Sequence, residues 1–471
     1  MNKLVYKYIG KVLTAYAILL LFPILVCLIY KEPVIPFIIP LAISLFLGLF
    51  LRKMKPTSKV LHAKDGFIIV SLSWIIISLL GSIPFILDLD ISFADALFES
   101  VSGFTTTGAT IFDDVESLSK SILFWRSFSH FIGGMGVLTF VMAILPLSRD
   151  DKSMHVLKAE MPGPTVAKLV PGLKKTLFYL YVIYVGLTLL EFILLLVGGL
   201  NIFDSILISM STAGTGGFAN LNTSLATYSM FNKYVVAIFM FLFGVNFNIY
   251  FLIFIMKDIK TALKSEELKA YFLFYFGAVI FILINTINIF NSFNEALVSS
   301  VFHISSIMTS TGFSIGDINI YPVSCKVVVL ILMLVSACAG STCGGFKISR
   351  LLICLKTIKR DVLKVIHPNS VRTITFEGKK VESEVINSTC TFLYLYVFII
   401  IILMILVGFN GYSFEVTTNA VFSTFANVGL SFEIGSFSMF SDFSKIVLSI
   451  GMILGRLEIF PLLGLLSCLK K

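Results

Sequence analysis

The stretch from Glu99 to Thr110, ESVSGFTTTGAT, places hydroxyl groups and glycine among residues that otherwise suit the interior of a membrane. A loop exposed to lipid at that depth would leave backbone N–H and C=O groups without hydrogen-bond partners. We therefore expect this stretch to be buried in protein or to line a watery cavity. Related stretches recur three more times along the chain, so it is one member of a set.

The composition is that of a membrane protein. Of the 471 residues, 57% are hydrophobic and only 13% are charged, whereas about a quarter of the residues of soluble domains are charged. The net charge of +9 falls in short basic clusters between apolar runs, as expected for orientation signals, and we predict no binding of nucleic acid. The basic N-terminus precedes an apolar run without a small-residue cleavage site, which favours a retained first helix over a signal peptide.

Ten apolar runs are long enough to cross a bilayer, which requires about 20 residues. Lys and Arg concentrate in alternate linkers, and the opposite linkers carry mostly Asp and Glu, so both termini are predicted to be cytoplasmic. The runs are residues 12–30, 34–51, 66–88, 122–146, 177–199, 231–256, 270–290, 326–354, 391–409 and 445–468.

Four shorter apolar pieces lie between these runs, and each ends in Gly, Thr, Ser or Asn. This is the pattern of a re-entrant helix, here called a half-helix, followed by a loop that starts from the outer side. An amphipathic helix packed on the outer surface is the alternative. Repetition of the order span, half-helix, loop, span favours the first interpretation. The pieces are residues 94–104, 203–213, 295–307 and 415–426.

The predicted fold is therefore an all-α polytopic membrane protein with ten transmembrane helices and four re-entrant pore helices, arranged in four degenerate repeats. An N-terminal two-helix extension precedes four pore repeats, and the third repeat carries an intramembrane gating loop. The predicted boundaries are residues 1–58 for the extension and 59–150, 151–265, 266–365 and 366–471 for the repeats.

Aligning the ends of the half-helices leaves one glycine common to all four. Backbone carbonyls directed at one axis replace the water shell of potassium or sodium, and glycine adopts the required backbone angles without steric cost. The partly negative C-terminal ends of the half-helices favour a cation at the centre. The predicted filter, which would bind potassium or sodium, consists of Thr106, Thr107, Gly108, Thr215, Gly216, Gly217, Ser310, Thr311, Gly312, Asn427, Val428 and Gly429.

A second anomaly lies in the run 326–354, whose 29 residues would measure roughly 44 Å as a helix against a hydrocarbon core of about 30 Å. The segment AGSTCGGFK, residues 339–347, should break this helix beneath the filter, where a movable loop acts as a gate. A phosphate-binding GxxxxGK loop is a weak alternative because Phe346 separates the glycines from the lysine. The predicted gate residues are Gly340, Ser341, Thr342, Gly344, Gly345, Lys347 and Arg456.

Arg456 and Glu458 lie inside the last apolar run, where charge is costly and functional by default. A snorkelling arginine near the inner interface is the alternative. A glutamate two places along the same helix does not face the arginine. Glu458 is therefore expected to pair with Lys347, Arg350 or another base.

Other polar residues receive less specific interpretations. Glu99 either lines the outer mouth or is a buried hydrogen-bonding group. Arg126 and His130 are interpreted as interfacial anchors at the outer end of the fourth span, and His303 as a packing residue rather than a metal ligand. The seven cysteines are scattered without metal-ligand spacing and are interpreted as apolar fillers.

Four motifs stand in order along the chain: FWRSFSHFIGGMG at 124–136, TSTGF at 309–313, AGSTCGGFK at 339–347 and GRLEIF at 455–460. With these motifs the chain resembles, over nearly its whole length, the pore-forming subunit of the bacterial Trk/Ktr potassium-uptake systems. Two extra N-terminal spans look like the Trk type, whereas NVGLS at 427–431 looks closer to Ktr sequences, and Cys343 stands where glycine is common in the family.

The resemblance implies a pseudo-fourfold, potassium-channel-like pore of four covalently linked units, with K⁺ bound at the filter residues and the loop at 339–347 acting as a gate near Arg456. It also implies a homodimer in the bacterial cytoplasmic (inner) membrane. A separate cytosolic ring of nucleotide-binding regulatory subunits controls the gate in such systems. The basic linkers 148–176 and 355–390 are the candidates for docking that partner.

The predicted function is potassium uptake, with Rb⁺ accepted and Na⁺ taken more weakly. A Na⁺-permeable or Na⁺-coupled transporter of the same fold is the alternative, because filters that share only one glycine select less sharply. A remote alternative is an intramembrane enzyme using Glu99, His130 or His303, although these lie on different repeats and enzyme chemistry needs them in one cavity. A receptor or scaffold would not require four matched loops.

Overall fold

The computed structural model describes residues 3–54, 63–134, 136, 173–369, 372–457 and 459–469. Within these ranges the chain is helical apart from connecting loops and one short hairpin, so the predicted all-α class is confirmed. The domain boundaries at 58 and 150, the end of the run 122–146, most of the linker 148–176 and Glu458 lie outside the described residues.

Among the described residues, six helices are long and apolar enough to cross a membrane, and a bent pair of helices makes a seventh candidate. Large apolar side chains such as Phe46, Leu273 and Tyr394 remain about 70% exposed on the outer faces of these helices, as expected where lipid is the solvent. The six candidates are Leu4–Tyr30, Ile35–Arg52, Lys64–Leu89, Phe178–Val197, Glu266–Thr286 and Ser383–Gly408.

The N-terminal part consists of α1 (Lys3–Leu19), α2 (Leu21–Tyr30) and α3 (Ile35–Arg52). Helix α2 packs against the helix Lys120–Gly134, and α1 and α3 pack against the following helix α4 (Ala63–Leu89). One apolar face of α1 is buried in this contact. Aromatic rings extend the contact toward the centre of the molecule, since Tyr16 and Phe37 both pack on Trp125.

The rest of the chain repeats one order of elements: a long helix, a half-helix, a loop and a second helix. Each half-helix begins at a side-chain cap, because Ser92, Asn201, Ser292 and Ser413 each accept a hydrogen bond from the amide three residues on. The long helices are α4, α7 (Leu173–Val197), α12 (Glu266–Thr286) and α16 (Ser383–Gly408), and the half-helices are α5 (Phe93–Phe104), α8 (Ile202–Ala213), α13 (Phe293–Met308) and α17 (Phe414–Phe425).

The second helices depart from the expected continuous spans. The run 231–256 bends by 93° between α9 (Met230–Phe243) and α10 (Phe247–Phe254). The run 445–468 breaks after α18 (Asp442–Arg456), where Ile459 has a φ of 63° before α19 (Phe460–Leu469). The second helix of the first repeat is α6 (Lys120–Gly134). Hydropathy finds apolar length in each run, but it does not register a left-handed residue or a sharp bend.

The run 326–354 breaks as expected, but earlier than its glycines indicate. Helix α14 (Val323–Leu334) ends five residues before Ala339, and α15 (Ile348–Ile366) begins after Lys347. The two ends of the connecting loop bond to each other, since Phe346 N–H donates to Leu334 O at 3.0 Å and Ser336 N–H donates to Phe346 O at 3.0 Å. This pairing satisfies backbone groups that the helix gives up.

A short segment lies at the end of the molecule remote from the half-helix caps. Helix α11 (Ile259–Lys264) leads into α12, and the hairpin of β1 (Thr375–Phe376) and β2 (Lys379–Lys380) packs beside it. Lys356 of α15 joins both, because it forms an ion pair with Glu266 and donates to Thr375 O at 2.7 Å.

Candidate cation-binding site

The four loops that follow the half-helices share one backbone conformation. In each loop, the shared glycine and the residue two places before it have positive φ. Positive φ is uncommon outside glycine, so its appearance at one place in all four loops indicates a common constraint. The angles are 55° and 81° at Thr106 and Gly108, 51° and 77° at Thr215 and Gly217, 52° and 87° at Ser310 and Gly312, and 57° and 78° at Asn427 and Gly429.

Each loop is also tied to its half-helix by the same hydrogen bond. The amide of the residue before the shared glycine donates to a serine carbonyl five residues earlier. The bond fixes the loop where the half-helix ends, with its C-terminal dipole directed at the same place. The four bonds are Thr107 N to Ser102 O at 2.8 Å, Gly216 N to Ser211 O at 2.9 Å, Thr311 N to Ser306 O at 2.7 Å and Val428 N to Ser423 O at 2.8 Å.

The four loops meet in a closed ring. At each shared glycine, an added Cβ atom would overlap the carbonyl oxygen of the residue before the glycine of the next loop, and the fourth loop meets the first. Only glycine fits these positions, and the backbone oxygens of four separate loops converge there. The overlaps are Gly108 with Gly216 O, Gly217 with Thr311 O, Gly312 with Val428 O and Gly429 with Thr107 O.

The loops that leave the ring repeat this cyclic order. Asn222 donates to Asp114 at 2.9 Å, and this hydrogen bond lowers the pKa of the Asp114 carboxyl below its usual value. The other three neighbouring pairs of loops are also bonded. Their contacts are Leu225 N to Ser314 O at 3.0 Å, Glu433 N to Asn319 Oδ1 at 3.1 Å, and Phe437 N to Thr110 O at 2.8 Å.

A buried ion pair supports the ring from behind. Arg126 Nε lies 2.8 Å from Glu99 Oε1, and neither residue is more than 1% exposed. The guanidinium also donates to Ala219 O of the second loop at 3.1 Å, and Glu99 accepts the Ile111 amide at 3.0 Å. Of the two interpretations of Glu99, the buried hydrogen-bonding group is the one observed.

The interpretation of Arg126 and His130 as interfacial anchors is wrong. His130 is fully buried, its ring stacks on Phe218 at 4.2 Å, and its Nδ1 accepts the Phe218 amide at 3.4 Å. Both side chains point inward because the second loop offers them backbone groups that lack partners within the loop. His303 agrees with its interpretation as a packing residue, since it bonds to Tyr321 Oη at 2.8 Å and to the Ile315 amide at 3.4 Å.

Among the described residues, no group of three His, Cys, Asp or Glu side chains is placed to hold a metal ion. Glu99, His130 and His303 brace different loops. The arrangement therefore offers backbone oxygens, rather than a side-chain cluster, as the groups that meet a cation.

The loop between α14 and α15, here called the intramembrane loop (residues 335–347), lies against one side of the ring. Its Gly344 amide donates to Ser310 Oγ at 2.9 Å, and a Cβ atom built on Gly344 would lie 2.8 Å from Asn427 Cβ. The Cys343 thiol lies beside the Thr215 side chain. The loop thus contacts three of the four parts of the ring.

Arg456 holds the middle of this loop. Its guanidinium donates to Thr342 O at 2.7 Å and to Gly133 O of α6 at 2.9 Å, so it acts inside the molecule rather than as a snorkelling residue. Lys347 donates to Gly344 O at 3.1 Å and to Cys343 O.

The remaining predicted gate residues lie in the same loop. Gly340 O accepts the Phe247 amide at 3.1 Å, Ser341 Oγ donates to Cys338 O at 2.6 Å, and Gly345 has a φ of 69°. The structure therefore brings all the predicted filter and gate residues together. Sequence reasoning missed Glu267, which accepts the Ala339 amide of the intramembrane loop, and Asn246, which donates to Glu267. An acid in the first turn of an apolar run looks like an ordinary helix start.

A closed ring of backbone oxygens within a bundle of apolar helices defines a protein that passes cations across a membrane. The chain matches the family described as TrkH, cation transport protein, over residues 37–469, and it belongs to this family. These are transport proteins, which confirms the expectation that the chain is not an enzyme.

Relatives of known name cover almost the whole chain. The chain is 33% identical to the Trk system potassium uptake protein TrkG of Escherichia coli, over 97% of this chain and 96% of TrkG. It is 31% identical to the Trk system potassium uptake protein TrkH of Vibrio parahaemolyticus, over 98% of this chain and 97% of the relative. The crystal structure of the potassium transporter TrkH from Vibrio parahaemolyticus superimposes with a TM-score of 0.89 at 28% identity, covering 98% of each chain.

Proposed function

We propose that this protein takes up potassium through the ring of four loops. The observation that carries the proposal is the closed ring itself, in which four glycines pack against four carbonyl groups in cyclic order. The relatives named as potassium uptake proteins support K⁺ as the transported ion. Coordination by backbone carbonyls then replaces the water that K⁺ loses on entry.

The proposal includes a finer topology than six or seven candidate spans. Ten spans and four re-entrant half-helices form four pseudo-fourfold repeats behind a two-helix extension. Both termini lie in the cytoplasm, and the membrane is the bacterial cytoplasmic membrane. The repeated order of elements and the alternation of basic and acidic linkers support this arrangement.

In this function the intramembrane loop is the gate. It lies against three parts of the ring, and Arg456 places a positive charge beside it. Cations below the filter meet both the loop and that charge, so the loop must move before K⁺ passes. The proposal also includes two partners: a second copy of the chain, and a cytosolic nucleotide-binding subunit that moves the loop. The resemblance to Trk/Ktr systems supports both.

Rubidium uptake tests the transported ion. Potassium-starved cells that depend on this protein are expected to take up Rb⁺, and excess K⁺ is expected to block that uptake much more strongly than the same concentration of Na⁺. Equal inhibition by the two ions would replace the proposal with a Na⁺-permeable transporter of the same fold. Cells that carry the Gly277→Ala variant are the control for substitution of a glycine outside the ring. They are expected to take up Rb⁺ like the wild type, because an added Cβ at Gly277 meets no atom within 4 Å.

A further inference from the structure

Glu267, in the first turn of α12, bonds directly to the start of the intramembrane loop. Glu267 is only 5% exposed, and one of its carboxyl oxygens accepts a hydrogen bond from the Ala339 amide at 2.7 Å. The other oxygen faces Asn246 Nδ2 at 3.4 Å. A buried acceptor that bonds to a loop amide holds that amide in place, because removing the acceptor leaves an unsatisfied N–H group.

The same region of the loop interlocks with the bend between α9 and α10. Cys338 N–H donates to Gly244 O at 3.1 Å, and Phe247 N–H donates to Gly340 O at 3.1 Å. Asn246 lies between these two bonds and caps α10 through the Asn248 amide at 3.0 Å. Glu267 therefore ends a small network in which the loop of the third repeat rests on the bent helix pair of the second.

Glu267 is in turn held from the hairpin. The Glu377 carboxylate accepts Ser265 Oγ at 2.8 Å and the Glu267 amide at 3.1 Å, so it caps the start of α12. Glu377 occupies the hairpin turn with a φ of 49°, followed by Gly378 with a φ of 71°, the pattern of a two-residue hairpin turn. The contacts form one continuous chain: hairpin turn, first turn of α12, Glu267 carboxyl and Ala339 amide.

We propose that Glu267 is a positioning residue that holds the intramembrane loop against the ring, and that it transmits movement of the hairpin at residues 375–380 to that loop. The inference rests on the proposed gate and on the proposed cytoplasmic position of the hairpin. Pulling the hairpin away withdraws Glu377 from α12, tilts its first turn and weakens the bond to Ala339. The loop then leaves the ring, and the path below the filter opens.

Rubidium flux into liposomes that contain the purified full-length chain tests this link. Glu267→Ala is expected to raise flux about tenfold, since a lost hydrogen bond to a buried carboxyl shifts a closed–open equilibrium by that order. The preference for Rb⁺ over Na⁺ stays unchanged because the ring is untouched. Glu267→Gln keeps an acceptor oxygen for Ala339 and is expected to restore flux close to the wild-type value.

Glu377→Ala is expected to raise flux less than Glu267→Ala and to add nothing in the double variant, because Glu377 acts through Glu267. Glu384→Ala, at an exposed acid in the first turn of α16, is the matched control and leaves flux unchanged. If Glu267→Ala does not fold, Glu377→Ala carries the test alone, since it alters only a turn near the surface.

Unchanged flux in both alanine variants overturns the link, as does a full additional increase from Glu377→Ala in the Glu267→Ala background. Flux raised together with lost ion preference also overturns it, because Glu267 would then support the ring itself. Absence of flux in the wild type and in every variant contradicts the proposed uptake function, whereas wild-type flux that Glu267→Ala leaves unaltered contradicts the link alone.

Discussion

The four parts of the ring share one backbone but reach it by two routes. In the first and third loops a pair of threonine hydroxyls bond to each other, Thr105 with Thr107 at 2.8 Å and Thr309 with Thr311 at 2.7 Å. The second and fourth loops have no such pair, since Gly214 and Ala426 take the place of the first threonine. Because contacts run in chain order around the ring, like loops face each other across it.

The residues behind the ring follow the same division. Nine places before the shared glycine stand Glu99 in the first repeat and His303 in the third, and each accepts the amide three places after that glycine, at 3.0 and 3.4 Å. Ile208 and Ala420 stand there in the other two repeats. The first and third loops thus carry their own polar supports.

The second and fourth loops are supported differently. Arg126 and His130 of the first repeat support the second loop from outside. Asn427 supports the fourth loop, since its side-chain Nδ2 donates to Thr107 Oγ1 at 2.9 Å and to Met452 O at 3.0 Å. The four parts of the ring therefore share a backbone shape, and unlike side chains produce it.

The largest effect is expected where all four loops are alike. Alanine at Gly108 or at Gly217 places a Cβ over a carbonyl oxygen of the next loop and strains a residue with positive φ. Rubidium uptake in either variant is expected to fall to the background of cells without the protein, while both proteins still reach the membrane. A wild-type rate in one of the two would show that the loops do not act as one ring.

A large loss of stability is expected when the buried ion pair is broken. Arg126→Leu leaves Glu99 without its cationic partner and should lower the free energy of unfolding by about 3–5 kcal/mol. His303→Leu removes a neutral hydrogen-bonding group in the third repeat and should cost about 1–3 kcal/mol. Thermal unfolding of the detergent-purified variants measures both. Equal losses of stability in Arg126→Leu and His303→Leu would contradict the different character of the two supports. The double variant Arg126→Leu/Glu99→Gln should recover part of the stability that Arg126→Leu loses.

A smaller effect is expected from the threonine pairs. Thr105→Val or Thr309→Val removes one hydroxyl and should cost about 1 kcal/mol of stability, with a reduced preference for Rb⁺ over Na⁺ in liposome flux. The control is Thr389→Val on α16, whose hydroxyl donates to Val385 O at 2.8 Å away from the ring. That variant should lose comparable stability and keep its preference. A changed preference for Rb⁺ over Na⁺ in Thr389→Val would show that the threonine pairs have no specific effect on ion preference.

The smallest effect concerns the contact between the first two outer loops. The hydrogen bond from Asn222 lowers the pKa of Asp114 in the folded protein, so this bond stabilises the fold above the ordinary carboxyl pKa. The contribution disappears as pH falls through the lowered pKa. Asp114→Asn should therefore slightly flatten the acid side of a plot of melting temperature against pH. A steeper acid decline in the variant would contradict this sign.

Sequence patterns predicted the features that repeat. The shared glycines, the half-helix starts and the break in the run 326–354 follow from spacing, helix-capping residues and backbone freedom, which act over a few residues. The filter and gate residues named from those patterns lie together in the structure. Local sequence signals suffice there because the same local backbone conformation occurs four times.

Single features of the tertiary structure were not predictable in this way. Arg126 lies next to an aromatic residue in an apolar run, which fits an interfacial anchor, but its partner Glu99 stands 27 residues earlier on a different helix. Helix α14 ends at Leu334 because its C-terminal backbone pairs with Phe346, and that pairing has no counterpart in composition. Glu267 depends on an amide 72 residues away.

The meeting of the fourth loop with the first has a consequence for biosynthesis. Asn427 bonds to Thr107 across 320 positions of the chain, so the ring cannot close until the last repeat has left the ribosome and entered the bilayer. Until then, the first three loops hold polar backbone in an apolar setting without their final neighbours. Such distant closure is slow in folding, and the unfinished ring needs protection in the membrane while the 320 positions that separate these two residues are synthesised.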